Sequence, residues 1–507
     1  MTWLEAACPA VGAERTDKYF KITIVDRETG RGVPLVELRT VDNVRYYTDS
    51  NGVVAFFDLG LMGEEVFFFV SSPGYELPND GFGNRGKALK VVAGASAELR
   101  VDRLNIAQRL YRITGADIYG DSQLVGQPAP LAKPTLNARV AGQDSSISAV
   151  YRSKLYWFWG DTARPGYPLG NYQTTGATSL LPEHGGLDPE RGVDLTYFTR
   201  EDGFVKPMAP MPGPGPTWLD GLVTIKDEAG RERMFAAYAK IRGALDVYER
   251  GLAEFNPEHE QFEKVVTFPA DAPVHPGGHP FRVTEQGVEY IYFATPYPML
   301  RIQADVDALK DLGRYEAYTC LVEGTRPNDE RLDRNWDGTL RYSWKKNTSP
   351  VGPRAQARLI SSGKMKRDEA LSQLQDAETG KSVTAHSGSV NWNPYRRRWI
   401  MIFGESGGTS PLGEVWYAEA PAPVGPWKLA RKIATHPGYS FYNPTQDPAL
   451  DKDNGRIIFF EGTYSATFSG NTNPTPRYDY NQIMYKLDLA DPRLKLSEAG
   501  EKASDRR

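Results

Sequence analysis

The chain has 507 residues, 40% of them hydrophobic, enough for two to four domains with real cores. Its 60 Lys and Arg against 64 Asp and Glu leave a formal net charge of −4, which argues against nucleic-acid and anionic-membrane partners, since both want a basic patch. No stretch of about 18 apolar residues predicts a transmembrane helix. Met1–Arg15 lacks the basic-then-apolar order of a signal peptide, a pattern that a trimmed chain would also show. The expected location is extracellular or periplasmic. Cys8 and Cys320 are far apart in sequence and are expected to be free thiols.

In chain order, a tail (1–17) precedes a β-rich module (18–103). Candidate strands there are Lys18–Val25, Leu35–Arg39, Val44–Thr48, Val53–Phe57 and Glu65–Val70, with turns at Thr29–Gly32 and Asp49–Gly52. This spacing predicts a small β-sandwich. Residues 104–136 are expected to be a linker with one further strand.

From about residue 137 a pattern recurs: a polar residue, a strand, a tight hairpin, an apolar strand, a longer loop. The copies are GQDSSISAVYRSKLYWFWGDT (142–162), TWLDGLVTIKDEAGRERMFAAYAKI (217–241), GGHPFRVTEQGVEYIYFATPYP (277–298), TAHSGSVNWNPYRRRWIMIFGES (384–406) and PTQDPALDKDNGRIIFFEGTYS (444–465). Five units over 137–490 predict an all-β fold, a five-bladed β-propeller behind the sandwich. The last unit lacks a fourth strand, because 491–507 reads as a charged tail. Tyr111–Leu124 is expected to supply it by pairing near Gln482–Leu487.

In such a blade the first strand starts and the second ends on one rim. That rim would collect Asp144, Asp220, His279, His386 and Asp447 from strand starts. It would also collect Asp161, Lys240, Thr295, Glu405 and Glu461 from strand ends. Long loops on that rim and short hairpins on the other are the mark of a site on a rigid scaffold. Trp157, Trp159, Trp218, Trp392, Tyr464 and Tyr478 are candidate sugar platforms or inter-blade packing. Residues 346–383 form an excursion before the fourth unit, expected as a surface insertion or lid with a helix over Met365–Gln375.

Two stretches resemble known families. VDRETGRGVPLVELRT and YYTDSNGVVAFF, in the first module, resemble transthyretin-like or carboxypeptidase-regulatory-like sandwiches, which implies a spacer or adhesion role. Asp144, the FWGDT string ending in Asp161–Thr162, and EVWYAEAPAPVGPW (414–427) resemble the five-bladed glycosidases around glycoside hydrolase family 43 and DUF4185-type proteins. The resemblance implies carbohydrate hydrolysis. It implies Asp144 as base or nucleophile, Asp220 as the orienting carboxylate and Glu405 as the acid, with Glu461 as alternative acid. Substrate contacts are expected from Asp161, His279, His386, Asp447, Trp159, Trp218, Tyr464 and Tyr478. Glycoside hydrolysis needs a proton donor and a base or nucleophile, and clustered carboxyls separate their own pKa values to supply both.

Three other readings stand beside this one. A polysaccharide lyase would use His279, His386, Tyr464 and Tyr480. A Zn²⁺ or Ca²⁺ site would use His275, His279, His386 and Asp447, although no cofactor is required by the main reading. A glycan-binding protein would have no catalysis at all.

Overall fold

The computed structural model describes residues 18–243, 245–326, 329 and 331–496, and shows an all-β, strand-rich architecture. Cys8 lies outside these residues. Two compact units divide the chain: one holds residues up to 72, 76–102 and 119–129, the other 73–75, 103–118 and 130 onward.

The smaller unit has two sheets. In the first, Phe20–Asp26 pairs antiparallel with Val53–Phe56 and parallel with Ser96–Arg103. In the second, Glu37–Thr40 pairs with Arg45–Tyr47 and Glu65–Ser71, and the latter with Gly86–Lys90. Alternating burial along Glu65–Ser71 marks a strand with one apolar face. Phe56 and Phe68, one from each sheet and both fully buried, meet edge to face at 5.1 Å. The turn between Asp49 and Val53 follows its sequence. Asp49 Oδ1 accepts from Asn51 N at 3.0 Å and Val53 N at 3.1 Å. Gly52 takes φ 75°, and a Cβ there would sit 2.5 Å from the Ile24 carbonyl.

The larger unit carries antiparallel sheets in chain order. The first group is Ile147–Tyr151, Lys154–Trp159, Thr175–Leu180 and Thr196–Tyr197, with a three-stranded sheet of Gly142–Gln143, Thr162–Arg164 and Tyr167–Asn171 beside it. The second is Thr217–Lys226, Glu232–Arg242, Asp246–Asn256 and Gln261–Phe268. The third runs from His279–Glu285 and Val288–Ala294 to Ser343–Lys346. The fourth contains Ala385–Asn393, Arg398–Glu405, Glu414–Ala420 and Trp427–Thr435, with Ser372–Asp376 added parallel to the last. The fifth contains Ser440–Gln446, Ile457–Ser465 and Asn481–Asp488. Hairpin chemistry explains the tight connections: Arg152 (φ 49°) and Ser153 (φ 60°) form the two-residue loop between paired Tyr151 and Lys154.

Apolar side chains fill the spaces between sheets. Phe158 of the first group packs with Met234 and Phe255 of the second. Phe293 of the third packs with Phe235 and Leu252 of the second. Phe281 and Trp399 join the third and fourth at 5.0 Å between ring centroids.

Four expectations change. A strand ahead of the repeats does pair with Asn481–Asp488, but it is Gln108–Arg112, which overlaps the expected 111–124 only at Tyr111 and Arg112, and Gly120–Leu124 is a short helix in the smaller unit. The helix in the 346–383 excursion is Pro353–Ser361, started by Pro at its first turn and followed by Gly363 at φ 73°. Met365 instead joins a buried cluster with Cys320, which is a free thiol, and residues 372–376 are a strand. The segment after residue 490 is not all solvated tail: Leu494 is buried and the Lys495 carbonyl accepts from Arg431.

The pairing at Gln108–Arg112 makes a test. Deleting residues 1–102 leaves that strand in place, and the remaining chain should stay soluble and free of aggregates by size-exclusion chromatography. Deleting 1–112 bares the edge of Asn481–Asp488 and should drive the protein into aggregates.

Candidate functional site

The first strands of several sheets share one irregularity. In the second sheet the register shifts between Asp220 and Val223, with Gly221 at φ 57°. In the fifth it shifts between Tyr442 and Thr445, with Asn443 at φ 51°. In the first, Ser145 at φ 53° interrupts the run between Gly142–Gln143 and Ile147–Tyr151. A bulge re-aims the side chain beside it. Here those side chains are Asp144, Asp220 and Tyr442.

Polar bonds tie the bulges together. Asn443 Nδ2 donates to Ser145 Oγ at 2.8 Å, and Ser387 Oγ donates to Asn443 Oδ1 at 2.8 Å. Gly221 N donates to the Gly278 carbonyl at 3.1 Å. Above them lies a cavity of about 470 Å³ lined by Asp144, Asp161, Trp218, Asp220, His275 and His279, among others.

The three carboxyls sit in different surroundings. Asp144 is half-buried, and burial raises its pKa against hydrogen bonds from Tyr442, Tyr480 and Ser145 that favour the anion. The Tyr442 hydroxyl donates to Asp144 Oδ2 at 3.1 Å. Asp161 is pushed up to about 7 by burial and then by the charge of Asp144, with the Trp218 indole pulling the other way. Asp220 is exposed where it opens onto the cavity, although dense protein surrounds it. Burial raises its pKa against the N–H groups of Gly278 and Gly221 and the charge of Arg250. Burial depresses His279 to about 4, so its ring is neutral at pH 7, and it shares a hydrogen bond with Thr445 Oγ1 at 3.1 Å.

The other expected site residues lie elsewhere. Glu405 ends Arg398–Glu405 outside the cavity lining, and its Oε2 accepts from Trp416 Nε1 at 2.8 Å. His386 lines a different cavity. Asp447 follows the end of Ser440–Gln446 rather than starting a strand, because the first strand of the fifth sheet begins earlier than its sequence pattern suggests. Asp447 is buried and accepts from Ser148 Oγ at 2.7 Å. Glu461 is mid-strand and fully buried, its pKa raised by burial and by Asp447. Trp159 stacks on Trp157 in the core, Tyr464 stacks on Tyr439, and Tyr478 is buried beneath Arg112. None of the three lines the cavity. Trp392 is exposed, edge-on to Trp399. Among the described residues no group of three or more His, Cys, Asp or Glu could hold a metal, and the four residues of the metal reading do not share a cavity. Tyr442, Asn443, Ser387 and Arg250 were not legible as site residues; a polar residue at each bulge was the available signal.

No family model matches this chain, and no curated protein does. Solved structures resemble it distantly. An exo-β-1,3-galactanase from Phanerochaete chrysosporium is 8% identical, with 77% of this chain and 67% of that chain covered and a TM-score of 0.36. An α-L-arabinanase from Penicillium chrysogenum is 13% identical over 76% of this chain and 99% of that one, at 0.36. A GH43_1 enzyme from Xanthomonas citri is 10% identical over 70% and 90%, at 0.34. A likeness this remote defines neither a family nor an activity.

The buried acids set a pH dependence of stability. Asp451, beside Asp447, is pushed from 3.8 to about 8 by burial. Between those values the folded chain holds a proton that the unfolded chain releases, so stability is greatest at the acidic end and falls as pH rises. Asp161, Asp447 and Glu461 act in the same direction. The thermal midpoint should drop between pH 5.5 and 8.5, and Asp451→Asn should flatten that slope in a calorimetric pH series.

Proposed function

We propose that the chain is a glycoside hydrolase acting on an oligo- or polysaccharide. The observation that carries this reading is the set of three carboxyls, Asp144, Asp161 and Asp220, on one cavity with a half-buried Trp218. Their surroundings favour different protonation states. Burial raises both, but hydroxyl donors around Asp144 offset part of its shift, and negative charge on Asp144 helps keep Asp161 protonated near pH 7. Asp161 therefore takes the acid role in preference to Glu405, which faces Trp416. Asp161 gives its proton to the glycosidic oxygen as the bond from that oxygen to the anomeric carbon breaks. Asp144 takes a proton from the incoming water, or attacks the anomeric carbon itself. Asp220 orients the sugar, and Trp218 offers a ring face.

On this reading the sheets of the larger unit are five blades closed into a ring. Bonds from Ser148 to Asp447 and from Asn443 to Ser145 support closure between the last and first. The smaller unit is a sandwich spacer. An extended glycan substrate places the reaction outside the cytoplasm.

A glycan panel read by product mass tests the reaction: hydrolysis adds one water, whereas unsaturated products would establish a lyase. Asp144→Asn should lower turnover by about 10²-fold or more with folding intact; near-normal turnover would remove Asp144 from the mechanism. The acid must be protonated, so activity should fall as pH rises through about 7, the value that burial and Asp144 give Asp161. Asp161→Asn should abolish that limb and spare activated aryl glycosides relative to natural linkages.

A further inference from the structure

The excursion at 346–383 builds the wall of a second, larger cavity of about 960 Å³. Its charge is one-sided. Arg354 and Arg358, on the helix Pro353–Ser361, line it together with Arg367 and His386. Among the described residues no Asp or Glu does. These arginines also differ from others nearby. Arg396 is held by Glu419 and Arg431 by Glu378, at 2.7 and 3.0 Å. Arg301 is held by Glu285 and Glu316. Arg354, Arg358 and Arg367 are exposed and form no ion pair among the described residues. Cations gathered on one concave surface without carboxylates repel one another, a cost that an anionic ligand removes.

The cavity adjoins the carboxylate cavity. A small intermediate hollow shares Asp220, Arg250 and His275 with the first and Tyr297 and Pro350 with the second. Thr295 lines all three. A ligand long enough to follow this groove would meet carboxyls at one end and guanidinium groups at the other.

We propose that this groove binds a glycan carrying negative charge, as carboxylate or sulfate ester, several units away from the reacting bond. Arg354, Arg358 and Arg367 recognise the anionic groups. Guanidinium forks suit both planar carboxylate and sulfate oxygens. The inference rests on the hydrolase reading only in taking the adjoining cavity as a sugar site.

Calorimetric titration of the full chain tests it with three probes of matched length: an oligogalacturonate, a sulfated galactan oligosaccharide and an uncharged arabino-oligosaccharide. At least one charged probe should bind about tenfold or more tightly than the neutral one, and high salt should erase the difference. Which charged probe wins separates carboxylate from sulfate. The Arg354→Ala/Arg358→Ala/Arg367→Ala variant should lose that preference at an unchanged thermal midpoint, because all three side chains are exposed. Single substitutions should each lose part of it, so a triple variant that fails to fold does not end the test. Equal binding of charged and neutral probes, or an unaffected preference in the variants, would overturn the proposal. Charge-selective binding without cleavage of any probe would instead sink the hydrolase reading and leave this one standing.

Discussion

The candidate site depends on a backbone constraint: a first strand of a sheet that is interrupted where its side chain must turn toward the cavity. Asp144, Asp220 and Tyr442 are each followed by a residue at positive φ: Ser145, Gly221 and Asn443. Gly221 takes that conformation freely, whereas Ser145 and Asn443 are costlier there. The hydrogen bond between these two side chains offsets part of that cost and links the last sheet to the first. A regular ladder at these positions would return the side chains to strict alternation, and the Asp144 carboxyl would no longer meet the Tyr442 hydroxyl.

Desolvation then gives similar residues different properties. Asp144 has hydroxyl donors, Asp220 has backbone N–H groups, and Asp161 has a neighbouring negative charge. Asp447, Asp451 and Glu461 are buried too, but outside the cavity lining, so their raised pKa values bear on stability and not on a ligand. A perturbed carboxyl is a site candidate only where a substrate can reach it.

The elaborated parts of the chain serve the surface around this frame. Residues 346–383 add one helix and one strand to the fourth sheet, and their arginines face a cavity that the repeats alone would not form. An insertion at the edge of a rigid sheet can change what the protein meets without disturbing the strands that carry the site.

The strand–hairpin–strand units were legible because their cause is local. Apolar alternation and turn residues such as Arg152–Ser153 act within a few positions, and the second sheet runs close to where its pattern predicts. Asp144, Asp161 and Asp220 stood out by the same repeat logic. Local patterns could not place the fifth sheet's first strand, where the run toward Asp447 hid a strand that begins at Ser440. The missing strand of the last unit pointed to a partner ahead of the repeats but not to its bounds, Gln108–Arg112, since backbone pairing leaves little trace in side-chain identity. Tyr442 reaches Asp144 across nearly 300 positions of chain. Glu405 and Glu461 looked equivalent to Asp161 by repeat position, yet one faces Trp416 and the other is sealed in a strand. Sequence determined which segments become strands and which polar residues recur. Tertiary structure decided which of those residues share a cavity, because convergence depends on how sheets pack and where their strands bulge.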